Sequence, residues 1–257
     1  MKQSRQGLYL RSIQLLRDTV PSFAAYPFHL RAIQELDLLE FHPKVTYIVG
    51  ENGMGKSTLM EAIAVALGFN PEGGTINFNF STEATHSELY RYLRLARSTV
   101  KPRDGFFFRA ESYYNLATNI DAMDREQANA PRIVDSYGGK SLHQQSHGES
   151  FFAAFLHRFN GNGLYILDEP EAALSPFRQM AMLSRINQLA LQNSQFIIST
   201  HSPILMAYPD SKIYRLTPDG IEKTTLEETD HYILMKQFMN NRERMLRELF
   251  RDEEEER

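Results

Sequence analysis

The chain has 257 residues, no cysteine, and 28 Lys and Arg against 32 Asp and Glu, a formal net charge of −4. That balance excludes wholesale electrostatic binding to nucleic acid, though not a local basic patch, and the lack of cysteine excludes disulfides and thiolate metal ligands. The length suits one large α/β domain; with no signal-like apolar run near Met1 and no window approaching the roughly 20 apolar residues of a membrane span, a soluble cytoplasmic protein without membrane insertion is expected.

In chain order, residues 8–13 and 28–33 are predicted strands joined through Pro21 and Pro27, together a small antiparallel N-terminal sheet. Val45-Thr46-Tyr47-Ile48-Val49 reads as a buried strand, and Leu59, Ile63 and Ala66 give the segment after residue 58 a helical period that stops at Gly68. Residues 69–84 read as a loop or hairpin, 88–98 as a helix, 105–111 as a second buried strand, and the polar stretch 121–145 as a partly ordered lid. A helical or lid insertion is thus expected over roughly residues 85–150. Leu164-Tyr165-Ile166-Leu167 and Phe196-Ile197-Ile198-Ser199 flank a helical stretch, as neighbouring parallel strands with a crossover helix do. Short strands follow at 213–216 and 220–224, then a charged helix at 228–250 and an acidic tail, 251–257, that should fray. The fold class is therefore α/β: a mostly parallel sheet with helices on both faces, plus a small antiparallel sheet and a short helical lid.

The most informative stretch is Gly50-Glu51-Asn52-Gly53-Met54-Gly55-Lys56-Ser57-Thr58. Its glycines let backbone N–H groups close around oxygens with no Cβ in the way, and the helix that follows presents its N-terminus to anionic charge. A nucleoside triphosphate is the expected ligand, with Lys56 reaching the β- and γ-phosphates and Ser57 offering its hydroxyl to Mg²⁺. Leu167-Asp168-Glu169-Pro170 closes an apolar strand at the sheet edge where α/β proteins bind ligands. There Asp168 is expected to hold Mg²⁺ through water, and Glu169 to position or deprotonate the attacking water. Taken alone, such an acid pair reads equally well as part of a turn. Ser146, Gly148 and Glu149, in Gln145-Ser146-His147-Gly148-Glu149-Ser150, open a helix whose Phe151, Phe152, Phe155 and Leu156 point inward. Such a terminus grips phosphate oxygens or is simply a capped helix. His201, after Ser199-Thr200, is either a polar sensor of the γ-phosphate or structural.

In this order along roughly residues 40–205, these features resemble the ATP-binding-cassette (ABC) ATPase superfamily. The resemblance implies a P-loop NTPase fold in which Gly50 to Thr58 are the Walker A loop, Ser146 to Glu149 the signature, Asp168 and Glu169 the Walker B acid and catalytic glutamate, and His201 the switch histidine. It implies ATP and Mg²⁺ as ligands, and an ATP-dependent homodimer in which the signature helix of one copy caps the triphosphate held by the other. Gln145, His147 and Glu149 depart from the usual signature Leu-Ser-Gly-Gly-Gln, and Ala173-Leu174-Ser175-Pro176 lacks the aspartate that normally closes the dimer-contact loop. Glu111 stands in for the family's metal-side glutamine. Asp168-Glu169-Pro170-Glu171 and Ser199-Thr200-His201-Ser202-Pro203 look like the soluble SMC/RecF/OLD-like branch, which serves DNA repair, chromosome maintenance and phage defence. No sustained heptads lie between Lys56 and Ser146, so long coiled-coil arms are not expected and the chain is most similar to small stand-alone bacterial AAA-type ATPases. The function this implies is an ATP-hydrolysing conformational switch for a protein effector. Two alternatives stand beside it: a nucleotide-gated regulatory subunit with little turnover, controlling a toxin or nuclease, and a transporter ATP-binding subunit. Arg91, Arg94, Arg97 and Lys101, at helical spacing, form either a merely solvated face, as most such faces are, or a contact face for nucleic acid.

Overall fold

The computed structural model of the chain describes residues 8–76, 87–112, 118, 120, 124, 132, 134–135, 147–172 and 174–255. Its strands are β1 (Leu10–Leu15), β2 (Leu39–Glu40), β3 (Val45–Val49), β4 (Leu93–Arg97), β5 (Asp104–Arg109), β6 (Gly163–Asp168), β7 (Gln195–Ser199), β8 (Lys212–Thr217) and β9 (Gly220–Thr224). The α-helices are α1 (Arg31–Gln34), α2 (Lys56–Leu67), α3 (His147–His157), α4 (Pro176–Leu191), α5 (Pro203–Met206), α6 (Asp230–Asn240) and α7 (Arg242–Glu255).

Continuous apolar runs make the central strands. Every residue of β3, β6 and β7 is buried, as expected of parallel strands covered on both faces. Among the described residues they stand in a six-stranded sheet of order β5-β6-β7-β3-β8-β9, parallel throughout except for the β8–β9 hairpin. Alternation along each strand then builds two cores. Tyr47, Phe106, Tyr165 and Phe196 meet Phe151 and Phe155 of α3 and Met182 and Ile186 of α4. Ile48, Phe107, Ile166 and Ile197 meet Leu59, Met60 and Ile63 of α2, together with Leu10 and Ile13 of β1. The phosphate-loop helix and the helix that begins at His147 thus pack on opposite faces of one sheet. A second, antiparallel sheet of order β2-β1-β4 lies over the α2 side.

Several local expectations are overturned. Residues 28–33 are not a strand but lead into α1. Phe28, Ala32, Ile33 and Leu36 are all buried, and their spacing by four and three brings them to one side of a helical turn, not of a pleat. The partners of β1 are instead β2 and β4. Residues 88–98 are not a helix: a 3-10 turn over Glu88–Tyr92 gives way to β4, where Leu93 pairs with Leu15 and Leu95 with Ile13. In an extended strand Arg94 and Arg97 point to opposite faces, and Arg91 is paired with Glu88 at 3.0 Å, so the basic stripe does not form. The strand expected at 105–111 ends at Arg109. The charged helix expected at 228–250 is two helices broken at Asn241, the second running on to Glu255. It leaves Leu234, Met235, Met239, Leu249 and Phe250 more than half exposed, so it does not bury its apolar groups in the sheet's own core. Residues 77–84 of the expected loop, Ser146, and nearly all of the expected lid at 121–145 lie outside the described residues.

Phe155 is fully buried between α3 and the sheet. Phe155→Ala should therefore destabilise the protein by about 3–5 kcal/mol, while Met239→Ala, at an exposed position of α6, should change stability by less than about 0.5 kcal/mol. Equal urea midpoints for the two variants would contradict this packing.

Candidate functional site

Since β6, β7 and β3 are adjacent and parallel, their carboxyl ends line up at one edge of the sheet. Ser199 at the end of β7 pairs with Ile48 on one side and with Asp168 on the other, so the register alone brings the acidic strand end to the phosphate loop.

The loop leaves β3 at Gly50, whose φ is 142°; a Cβ there would lie 2.5 Å from the Leu216 carbonyl oxygen on β8. It enters α2 through Gly55, with φ 93° and the Leu30 side chain 3.0 Å from where a Cβ would stand. Both positions demand glycine, for backbone shape and for space. Beyond them the first turn of α2 offers N–H groups that have no partner within the helix. Lys56 is buried and donates from Nζ to the carbonyls of Gly50 (2.8 Å) and Glu51 (3.1 Å). Burial draws its pKa below the ordinary lysine value, against the opposing pull of the Glu169 and Asp168 carboxylates.

Asp168 is buried at the end of β6. Its Oδ1 accepts from the Ser57 hydroxyl at 3.4 Å and from the Ser199 hydroxyl. Burial raises its pKa, and the two hydroxyl bonds together with the Arg109 charge act against that rise. Arg109 is the register partner of Asp168 on β5 and is anchored by a 2.6 Å ion pair to the buried Glu61 of α2. Glu169 follows with φ 50°, a left-handed conformation uncommon for a side chain of this kind, held by its N–H to the Ser199 carbonyl at 3.1 Å. The turn aims its carboxylate back over the loop.

A cavity of about 420 Å³ opens there, with Asn52, Gly53, Lys56, Ser57 and Thr58 on one side and Glu111 and Glu169 on the other. Tyr26 and Leu30 add an aromatic and an aliphatic wall, and the Tyr26 hydroxyl lies 3.1 Å from the Thr58 hydroxyl. Glu111 reaches the cavity from an exposed side chain that also contacts Arg109 at 3.4 Å. His201 presents Nε2 to Glu169 Oε1 at 3.4 Å, close enough for charge attraction but without hydrogen-bond geometry, and that buried nitrogen has no hydrogen-bond partner among the described residues. Its backbone N–H donates to Glu171 at 2.6 Å, and its Nδ1 lies 2.8 Å from His231 Nε2. Burial lowers the His201 pKa, and the nearby Lys56 and His231 add to that.

The structure thus gathers Gly50 through Thr58, Glu111, Asp168, Glu169 and His201 around one edge. It does not bring the signature into this group: Ser146 is outside the described residues, and Gly148 and Glu149 start α3 on the other face of the sheet from α2. Ser199, Glu171, Arg109, Tyr26 and His231 were not singled out by sequence. Ser199 and Glu171 stand two residues from His201 and Glu169, a local signal; His231, thirty residues beyond His201 in a charged helix, gives none.

Comparison with known proteins agrees with this arrangement. A family model described as AAA domain matches residues 28–148, and one described as AAA ATPase domain matches residues 147–206. An uncharacterized ABC transporter ATP-binding protein of Haemophilus influenzae is 26% identical over 201 residues, covering 72% of this chain and 74% of that one. The cobalt import ATP-binding protein CbiO of Salmonella typhimurium is 27% identical over 183 residues, covering 67% of each. Among solved structures, the SMC head domain from Thermotoga maritima has a TM-score of 0.43 at 16% identity, covering 84% of this chain and 98% of that one. The two family models meet at α3 and together take in the phosphate loop, the acid pair and His201; that order of motifs on a mostly parallel sheet is consistent with an ABC-type P-loop ATPase.

Proposed function

We propose that this ATPase acts as a soluble conformational switch, in which two copies close on ATP and hydrolysis lets them part, driving a protein effector. The observation that carries the catalytic half of this reading is the convergence of Ser57, Asp168, Glu169 and His201 on the cavity lined by the loop. Lys56, parked on two loop carbonyls, is free to exchange them for phosphate oxygens at little loss. Ser57 and Asp168 form an all-oxygen pair that suits Mg²⁺, which takes few protein ligands and keeps phosphates and water for the rest; Glu111 faces the same space. When bound, the ion offsets charge on the transferred phosphoryl group. Glu169, held over the loop by its left-handed backbone, takes the proton of the attacking water, a role worth about 10²–10⁴ in rate. His201 Nε2, which faces Glu169 at 3.4 Å and has no hydrogen-bond partner among the described residues, would donate to the departing phosphate. Tyr26 supplies a face on which the base stacks.

The homodimer follows from the resemblance: Gly148 and Glu149 at the N-terminus of α3 would cap nucleotide on a second copy, together with Ser146. A second reading, the ATP-binding subunit of a transporter, is favoured by the names of the relatives. In that case turnover should respond to a membrane partner and not to soluble protein or DNA. Among the described residues no helix is long and apolar enough to cross a membrane.

Lys56→Ala should abolish ATP binding in calorimetry, whereas Glu169→Gln should keep binding, lose about 10²-fold or more in turnover, and accumulate as a nucleotide-bound dimer in light scattering. Normal hydrolysis by the Gln variant would remove Glu169 from the mechanism, and a monomer at saturating ATP would remove the closed pair. Tyr26→Ser should weaken ATP by about 5- to 100-fold, the worth of one base–aromatic stack, while leaving inorganic triphosphate binding unchanged. Equal losses for both ligands would place Tyr26 against the phosphates instead.

A further inference from the structure

His201 touches a second imidazole that the hydrolytic scheme does not use. His231 sits in the first turn of α6, and its Nε2 is 2.8 Å from His201 Nδ1, the rings lying 4.8 Å apart at 65°. Two neutral imidazoles at this distance need one N–H and one lone pair between them. The other edge of His201 decides which ring gives the proton. Its Nε2 faces the Glu169 carboxylate at 3.4 Å, and a carboxylate attracts an N–H and repels a lone pair. The proton of His201 therefore belongs on Nε2, Nδ1 is the acceptor, and His231 Nε2–H is the donor.

We propose that His231 is a positioning residue for ATP hydrolysis: by donating to Nδ1 it holds His201 as an Nε2–H donor facing the nucleotide side, and so makes turnover depend on where the α6–α7 hairpin sits. The hairpin is suited to such control. None of the residues of α6 is fully buried, and an apolar groove beside it is lined by His201 and His231 together with Leu234, Met235, Phe238 and, from α7, Met245. A small displacement of α6 breaks the imidazole pair without disturbing the sheet. This inference rests on the reading of His201 as a phosphate-side donor.

The test uses the full chain. His231→Phe should lower kcat by about 10-fold or more with ATP affinity within about twofold, because the lost group acts only in the transition state. His231→Gln, whose side-chain amide keeps a donor, should restore most of the rate. His201→Ala should fall at least as far, and the double variant His201→Ala/His231→Phe no further, since the two act as one unit. In histidine-labelled wild-type protein, long-range ¹H–¹⁵N couplings should show His201 in the Nε2–H form, a reading that needs no variant to fold. Wild-type kcat in His231→Phe alongside a slow His201→Ala would overturn the role of His231 and leave that of His201 standing. Wild-type rates in both would sink the underlying reading as well. An Nδ1–H signal for His201 in the native protein would reverse the direction of the bond and end the proposal.

Discussion

A carboxylate buried at the end of a β-strand is unstable on its own. Removing it from water without compensation carries a penalty of several kcal/mol, or else the group takes up a proton. At Asp168 that penalty is opposed in part, because β7 and α2 each deliver a hydroxyl to the same oxygen, Ser199 and Ser57, while Arg109 lies one strand away. None of the three is close to Asp168 in sequence. The site therefore exists only when β5, β6, β7, β3 and α2 are all in register, and the fold and the chemistry depend on the same alignment. Arg109 illustrates how widely the constraint reaches: its charge beside Asp168 is itself fixed by Glu61 in the middle of α2, so the helix that follows the phosphate loop also secures the counter-charge of the acid.

The two faces of the sheet divide the labour. On one, α2 and the small antiparallel sheet press the phosphate loop against β3 and β8; on the other, α3 and α4 pack over Tyr165 and Phe196. Interior alternation is strict enough that a one-residue slip of β6 would exchange Tyr165 for Ile166 between cores of different shape and turn Asp168 away from Ser199. The strained turn at Glu169 belongs to the same frame. Its N–H is engaged by the Ser199 carbonyl, so the strand end that shields Asp168 also holds the next carboxylate in a conformation costing roughly 1–3 kcal/mol.

What was legible in the sequence follows from this physics. Central parallel strands are continuous apolar runs, so β3, β6 and β7 stood out, as did the glycines between β3 and α2 and the acid pair after β6. The crossover through α4 was readable for the same reason, and the short strands read at 213–216 and 220–224 fall within β8 and β9. Short amphipathic pieces at the periphery were not. Phe28 to Ile33 and Leu93 to Arg97 are runs of four to six residues in which helix and strand periods coincide, and each took its form from what it packs against: α1 from the core beside β1, β4 from the free edge of β1. Leu39 and Glu40, the other partner of β1, are too short a strand to carry a pattern at all. The long-range partners of the site, Ser199 with Asp168 and His231 with His201, depend on tertiary register and leave no local trace.

The C-terminal hairpin shows why such a partner is worth having at a distance. Interior residues of the sheet are fixed by close packing and have no second arrangement within reach. By contrast no residue of α6 is buried, and among the described residues its ties include the buried Thr229 before it, a 3.5 Å pair between Arg215 and Asp230, and the imidazole bond. An element held this lightly has local opening free energies well below that of global unfolding. A coupling of only about 1–3 kcal/mol, typical of regulated proteins, is then enough to shift its population. The rigid part of the molecule builds the hydrolytic geometry, and the exposed apolar helix pair is where an outside influence of that size can reach it through a single hydrogen bond.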